Sequence, residues 1–454
     1  MLQLPNYFLT DLPPEAVISP AMIQEAAATL KHNRERYLLP RSSGSLIALL
    51  AELGREWMNP ENPFRKMALE VSPAQTGFTP EILGAGIDRF FARFTADNLL
   101  SWMEQELGHE NRLDEFSASP AERNSRRASM VFGPDFQVHF TAGNLPCPAF
   151  MSILTGVLLR SAQFVKCASN AATLPRLLAH SIYEMDHKLG ACLELASWKG
   201  GHEALENILF QESDCVTVTG SDETIAAIRR RVPAAARFLG YGQRVSFGFI
   251  SHRALAGAGG ARLVGHAAKD VIAWDQLGCL SPHVLYVENG SGQTAERFAE
   301  QLATELMRRE ESEPRAAAST AVAAAIATRR AFYEVRAAHS PDTRHWFSPK
   351  STAWTVIYEA DPRFQFSCLH RFIYVKGVAS LEEALRGADA VRASVSTVGL
   401  GATDDQAKSL ASVVARWGAP RICPLGQMQD PPLAWRHDGR PALADLIGWS
   451  DWET

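Results

Sequence analysis

The chain has 454 residues, 46% of them hydrophobic and 21% charged, with a formal net charge of −5. That length suits two or three domains with cores of their own, and that charge offers no basic field for a nucleic acid. The seven cysteines are odd in number and form no CxxC and no Cys/His cluster with zinc-ligand spacing, so neither a disulfide framework nor a metal site is expected.

Residues 1–115 read as mainly helical, with Ile82, Leu83, Ile87, Phe90, Phe91 and Phe94 at helical spacing within 80–107. Residues 110–128 are polar and read as loop. From Ala128 onward short apolar strands alternate with helices. The strands fall at 137–140, 164–166, 193–196 and 215–219, the helices at 149–160, 174–189, 203–209 and 223–232. The second half repeats the style, with strands at 245–250, 283–287, 355–358 and 372–375 and helices at 294–309, 320–337 and 381–385. The Ala-rich stretch 316–326 reads as helix because Ala is the best helix former. Such alternation indicates parallel sheets with crossover helices, hence an α/β fold of two lobes with a boundary near 243–250. The longest apolar run, 150–159, is far short of the roughly 20 residues of a spanning helix. The opening MLQLPNYFLTDLPPE has no basic region or small-residue cleavage site. A cytoplasmic chain without integral membrane association is the expectation.

No GxGxxG follows a predicted strand, and Gly257-Ala-Gly-Gly reads as plain loop, so the ordinary dinucleotide fingerprint is not supported. Four other segments carry chemistry together. Cys279, in Asp275-Gln-Leu-Gly-Cys-Leu-Ser-Pro-His283, occupies a small-residue turn before a strand, as either a packing residue or a nucleophile. Gly143-Asn144-Leu-Pro ends a strand and opens a helix, where Asn144 either caps that helix or donates its amide to an oxyanion. Phe164-Val-Lys166 is a strand ending in a single Lys, ordinarily a solvated strand end. Thr217-Val-Thr-Gly220-Ser221-Asp222-Glu223 runs from a strand through Gly-Ser into a helix, where Ser221 either caps the helix or stands beside a bound phosphate.

In their order and separations these segments resemble the aldehyde-dehydrogenase superfamily, and within it the acyl-CoA reductase family (LuxC-type fatty-acyl reductases). Asp275-Gln-x-x-Cys279-Leu-Ser-Pro, Trp198-Lys-Gly-Gly, Gly220-Ser-Asp-Glu-Thr, Arg421-Ile-Cys-Pro-x-Gly426, His437-Asp-Gly439 and Trp449-x-x-x-Glu453 carry the narrower resemblance, from about residue 40 to the end. It implies an aldehyde-dehydrogenase-like α/β fold of two Rossmann-like lobes with a cleft between them. Residues 1–245 would hold an N-terminal helical segment and a cofactor lobe, and 246–425 a catalytic lobe. Residues 426–454 would pack back on the first lobe or at an oligomer interface. It further implies Cys279 as nucleophile and Asn144 as oxyanion donor. Lys166, Ser169, Lys199, Gly220 and Ser221 would stand at the cofactor.

Two departures from hydrolytic aldehyde dehydrogenases are informative. Those enzymes carry a Glu that activates water, whereas Phe238-Leu-Gly-Tyr-Gly-Gln-Arg244 has no carboxylate, so water attack on an acyl-cysteine should be slow. Their ribose-binding Lys-Pro-x-Glu is here Lys166-Cys-Ala-Ser169, which removes a negative charge and admits NADPH, with NADH possible. The implied reaction is reduction of a fatty acyl thioester, from CoA or from a carrier protein or synthetase, to the aldehyde through an S-acyl-cysteine. The thiolate it needs would be favoured by local dipoles. A CoA-acylating oxidation in the reverse direction, or a non-catalytic acyl-binding subunit, are the rival readings. A homo-oligomer is implied. His283 and His370 read as structural histidines and receive no catalytic role.

Overall fold

The structure, a computed structural model, describes residues 4–13, 15–143, 145–169, 171–256, 259–290 and 294–453. Helices dominate up to residue 124. Pro80–Phe91 is representative: Thr79 accepts the Ile82 N–H at its start, Pro80 occupies the first turn, and Ile82, Leu83, Ile87, Phe90 and Phe91 are buried along one face. Within 110–128, expected to be loop, lie two short helical turns, Glu110–Leu113 and Pro120–Asn124. Ser119 and Glu122 close a capping box around the second, a Ser-x-x-Glu signal that the polarity of the stretch had masked.

Fourteen strands follow among the described residues. They are β1 (Arg127–Phe132), β2 (Phe136–Phe140), β3 (Ala162–Cys167), β4 (Leu193–Ser197), β5 (Cys215–Thr219), β6 (Arg237–Tyr241), β7 (Val245–Ile250) and β8 (Pro282–Glu288), then β9 (Thr343–Phe347), β10 (Thr355–Glu359), β11 (Phe372–Val378), β12 (Val395–Gly401), β13 (Arg421–Pro424) and β14 (Gly448–Glu453).

The first sheet has the order β4-β3-β2-β5-β6 and is parallel throughout. From β2 the chain builds outward to β3 and β4, then returns to the other side for β5 and β6. The switch point between β2 and β5 opens a crevice at their carboxyl ends, where ligands of such sheets bind. The second sheet has the order β13-β12-β7-β8-β11-β10-β9, parallel except for the β9–β10 pair. A separate antiparallel ribbon pairs β1 with β14, Arg127 opposite Glu453, and so ties the end of the chain to the start of the first sheet.

The strands absent from the sequence-predicted set have physical reasons for being quiet. β14 is almost wholly exposed, and β6, β9 and β13 are sheet edges. β12 is buried along its length, yet Ser, Thr and Gly dilute its apolar pattern. Its Gly399 has a packing cause: a Cβ there would meet the Met428 sulfur at 2.7 Å.

Candidate active site

Cys279 lies in the turn that enters β8, at the amino edge of the second sheet. The run before it is unusual. Trp274, Asp275 and Gln276 have φ of 53°, 48° and 66°, left-handed values without a glycine among them. Each is held. Trp274 fills a slot beside Gly86, where a Cβ would sit 2.1 Å from the indole. Asp275 is buried and accepts from Arg371 Nε at 2.8 Å. Burial still raises its carboxyl above the usual range against the pull of Arg371 and Arg315. Gln276 Nε2 donates to Pro282 O at 2.7 Å and to Phe372 O at 2.9 Å. The Cys279 carbonyl accepts from Ser246 Oγ of β7 at 2.8 Å, and Gln429 Nε2 donates to Ser281 Oγ at 2.9 Å.

The thiol opens onto a mainly apolar cleft built from both lobes. Gly86, Phe90 and Arg93 come from helix Pro80–Phe91 and the turn after it. Leu145, Cys147 and Met151 come from the turn after β2 and helix Cys147–Leu158. Trp435 and His437 come from the segment after β13. Asn144 lies outside the described residues. Its neighbour Leu145 abuts Gly278, where a Cβ would meet Leu145 Cδ1 at 3.3 Å. Asp270 anchors the segment after β13 by accepting the N–H groups of Gly426 and Met428, and burial pushes its carboxyl up to about 7.

The thiolate is not favoured in this resting state. The N–H groups of Cys279 and Leu280 and the Arg244 guanidinium do pull the pKa down, as the sequence led us to expect. Burial outweighs them and, with a contribution from Asp438, pushes the thiol up to about 11. Cys147 shares the cleft and is pushed further, to about 12, against the pull of Arg93 and Arg89. Cys167 is buried in β3 and likewise sits at about 12.

His437 was quoted in the sequence only as part of a motif. It is half-buried, stacked on Tyr241 (ring centroids 4.7 Å apart, 14° between planes) and set 4.8 Å from Trp435. Burial, Arg440 and Arg244 hold its pKa below the histidine norm against the pull of Asp438, so the imidazole is neutral. Asp438 in turn accepts from Arg244 Nε at 3.1 Å. No Asp or Glu lines the cleft among the described residues. His283 is tied to the Ser367 N–H and hydroxyl at 3.1 Å, and neither it nor His370 lines the cleft.

The other sequence-predicted residues gather along the carboxyl edge of the first sheet. Lys166 is the penultimate residue of β3, nearly buried, with its ammonium 5.9 Å over the Trp198 ring. Burial lowers its pKa while Glu206 opposes the shift. Ser169 is exposed and donates to Trp198 O at 3.1 Å, and Lys199 beside it is exposed. Gly220 and Ser221 follow β5. The Gly220 N–H donates to Tyr241 O, and Ser221 caps helix Asp222–Arg229 by accepting the Thr224 N–H at 3.3 Å. The Ser221 hydroxyl is thus already engaged by capping.

Solved structures with this architecture include aldehyde dehydrogenases. A variant of proline utilization A (PutA) from Bradyrhizobium japonicum superposes at TM-score 0.69 with 14% identity, over 96% of this chain and 45% of that one. Betaine aldehyde dehydrogenase from Staphylococcus aureus gives TM-score 0.67 and 14% identity, over 96% and 89%. At that identity the likeness is one of fold, and the fold is aldehyde-dehydrogenase-like α/β. The chain belongs to the acyl-CoA reductase (LuxC) family, whose sequence model matches residues 40–449. The long-chain acyl-protein thioester reductase of Photorhabdus luminescens is 24% identical over 250 residues, 53% of this chain and 49% of that protein. That of Vibrio harveyi is 22% identical over 358 residues, 77% and 70%. The match thus spans about half the length of the Photorhabdus relative. No helix among the described residues is long and apolar enough to cross a membrane.

Proposed function

We propose that this chain reduces a fatty acyl thioester, presented on CoA or on an acyl carrier or synthetase, to the aldehyde through an S-acyl-Cys279 intermediate. The observation that carries the reading is the thiol of Cys279 opening onto an apolar cleft shared by both lobes, next to the switch-point crevice of the first sheet. Cys279 gives up its proton to the imidazole of His437 and attacks the acyl carbon. The carbonyl oxygen, now anionic, is held by the N–H of Cys279 and by the Asn144 amide. The C–S bond to the donor breaks, and its thiolate leaves with the proton from His437. Hydride on the acyl carbon then expels Cys279 as thiolate and frees the aldehyde. His437 relays a solvent proton back to the sulfur.

NADPH, when bound, supplies that hydride. The residues present fit it. Lys166 is a nearly buried ammonium with no carboxylate within 4 Å among the described residues, and Ser169 and Lys199 stand beside it without negative charge. From β4 to β5 this edge spans three strand spacings, about 14 Å, a suitable bed for an extended dinucleotide. With no carboxylate lining the cleft among the described residues, the general base that hydrolytic aldehyde dehydrogenases use on water is missing, so the acyl-enzyme persists until reduced or returned to a thiol.

The test is intact-mass spectrometry after incubation with a long-chain acyl-CoA in the absence of NADPH. A single acyl adduct should form, survive for many turnover times, and disappear with aldehyde release when NADPH is added. Cys279→Ala should form none, while Cys147→Ala, in the same cleft, should form it normally. An adduct retained in Cys279→Ala, or fatty acid released by water as fast as aldehyde by NADPH, would sink the proposal.

A further inference from the structure

The cleft at Cys279 does not end at its apolar wall. A second cavity lies between helix Cys147–Leu158, the first sheet and the segment after β13. It shares Pro148, Met151, Trp435 and His437 with the first. Two cavities with four lining residues in common are neighbours, parted only by those side chains, so a rotamer change at Met151 or Trp435 would join them. Cys147 lines the near compartment and Thr155 the far one. They are eight residues apart on one helix, which sets the far wall about 12 Å deeper along its axis.

The far compartment differs in chemistry. Gln137 of β2, Ser152, Thr155, Thr217 and Thr219 line it, and no Asp, Glu, Lys or Arg does among the described residues. Gln137 is 1% exposed, and neither its amide oxygen nor its amide nitrogen has a hydrogen-bond partner among the described residues. By contrast, the Thr217 hydroxyl is engaged by His139 at 2.6 Å. A buried amide with donor and acceptor both unpaired is costly, and a methyl-ended alkyl chain driven into this chamber would leave it so. An anionic end would be buried without a cation to meet it. A neutral group that both donates and accepts satisfies the amide.

We propose that the far compartment receives the distal end of the acyl chain and selects thioesters whose chain carries a neutral hydrogen-bonding group there, above all a hydroxyl, bound by the Gln137 amide. This rests on the reading that Cys279 takes the acyl group, and it concerns only which acyl groups it takes. Gln137 acts as a specificity residue, remote from the reacting carbon, so the binding it adds is expressed in kcat/KM.

The experiment uses the full chain with NADPH. Saturated acyl-CoA thioesters of graded length are compared with their ω-hydroxy counterparts. Once the chain is long enough to enter the chamber, the hydroxylated member should be preferred by about tenfold or more in kcat/KM, because a site built to hydrogen-bond a hydroxyl rejects the analogue without it. Gln137→Leu should bring that ratio to about one and leave the plain chain at or above its wild-type rate. Thr155→Val, which alters the opposite wall without touching the sheet, should also reduce the ratio and stands in if Gln137→Leu does not fold. Equal kcat/KM for the paired substrates at every length, with both acylating Cys279, would overturn this inference and leave the proposed reaction intact. Acylation of Cys279 by neither class would overturn both.

Discussion

Replacing His437 with Gln tests the proposed activation of a cysteine so unwilling to ionise. With its thiol at about 11, Cys279 is thiolate in about one molecule in ten thousand at pH 7, a deficit of about 5.5 kcal/mol at 1.36 kcal/mol per unit. In the proposed mechanism the neutral imidazole that lines the same cleft offsets much of this. Were the substrate-bound cleft to bring the two groups to about 4 Å, an imidazolium beside the thiolate would contribute about 4 kcal/mol at an effective dielectric of 20. The groups facing His437 are Asp438 and Arg440 of its own turn, Arg244 from the end of the first lobe, Tyr241 and Trp435. Burial leads the shift of His437 downward, so wild-type acylation should rise to a plateau at a pH below the ordinary histidine value of about 6.5. His437→Gln should lose about 10²–10³-fold in acylation rate at pH 7, within the usual range for a general base. Its rate should then climb about tenfold per pH unit toward the thiol's own titration and converge on wild type near the alkaline end. The assay is rapid-quench acylation followed by intact mass from pH 5 to 10. A variant with the wild-type profile displaced by a constant factor would refute the role, since a merely structural histidine lowers the rate without tilting its pH dependence.

Two further predictions concern what holds the cleft. Asp275→Ala leaves Arg371, 1% exposed, with only the Glu313 carbonyl among its bonds, and should cost about 3–5 kcal/mol in urea unfolding. Asp275→Ala/Arg371→Leu should recover part of that loss, and equal losses in the two proteins would show that the pair is not the unit. Asp270 has a folded pKa near 7, above its ordinary 3.8, so the native state holds an extra proton between those values. Its contribution to stability is therefore full at low pH and falls as pH rises through about 7, by up to a few kcal/mol. Asp270→Asn should flatten the fall between pH 4 and 7 in thermal unfolding, and an unchanged slope would exclude Asp270 as its source.

Much of the fold was legible because buried parallel strands write themselves as apolar runs. The interiors of β2, β3, β5, β7, β8, β10 and β11 fall where periodicity put strands. What periodicity could not see were strands with no burial contrast to report. β14 offers Trp449 and Trp452 to solvent at 45% and 56% exposure, and β12 replaces bulk with glycine where Met428 and Ile250 press on the backbone. The site divides in the same way. Cys279, Lys166 and Gly220 lie at strand ends, where a one-dimensional pattern of strand, small residue and helix marks a position. The two neighbouring cavities at Cys279 draw on helix Pro80–Phe91, helix Cys147–Leu158, β2, β5 and the segment after β13. Gln137 is one polar letter inside an apolar strand, and nothing in the sequence distinguishes an unpaired buried amide from a paired one such as Gln163, which meets His139 and Ile153.

The least legible feature is the one that fixes the Cys279 turn. Left-handed backbone usually announces itself through glycine or asparagine, but the turn before Cys279 is Trp274-Asp275-Gln276 and the turn facing it is Leu369-His370-Arg371, all six at positive φ. Each such residue costs about 1–2 kcal/mol relative to a right-handed conformation. That cost is tolerated only where the surroundings over-determine the conformation. Here they do so through chemistry that links the two turns. Asp275 accepts from Arg371, Gln276 reaches the carbonyl of Phe372 just after it, and the Trp274 indole occupies the space that Gly86 leaves open. The first two constraints come from within the second lobe and the third from the helical segment before the first sheet. The position of the thiol is therefore set jointly by both halves of the chain. A substitution at Gly86, far from any reacting atom in the sequence, acts on Cys279 through the indole, because even a methyl group there displaces Trp274 and with it the first residue of the strained turn.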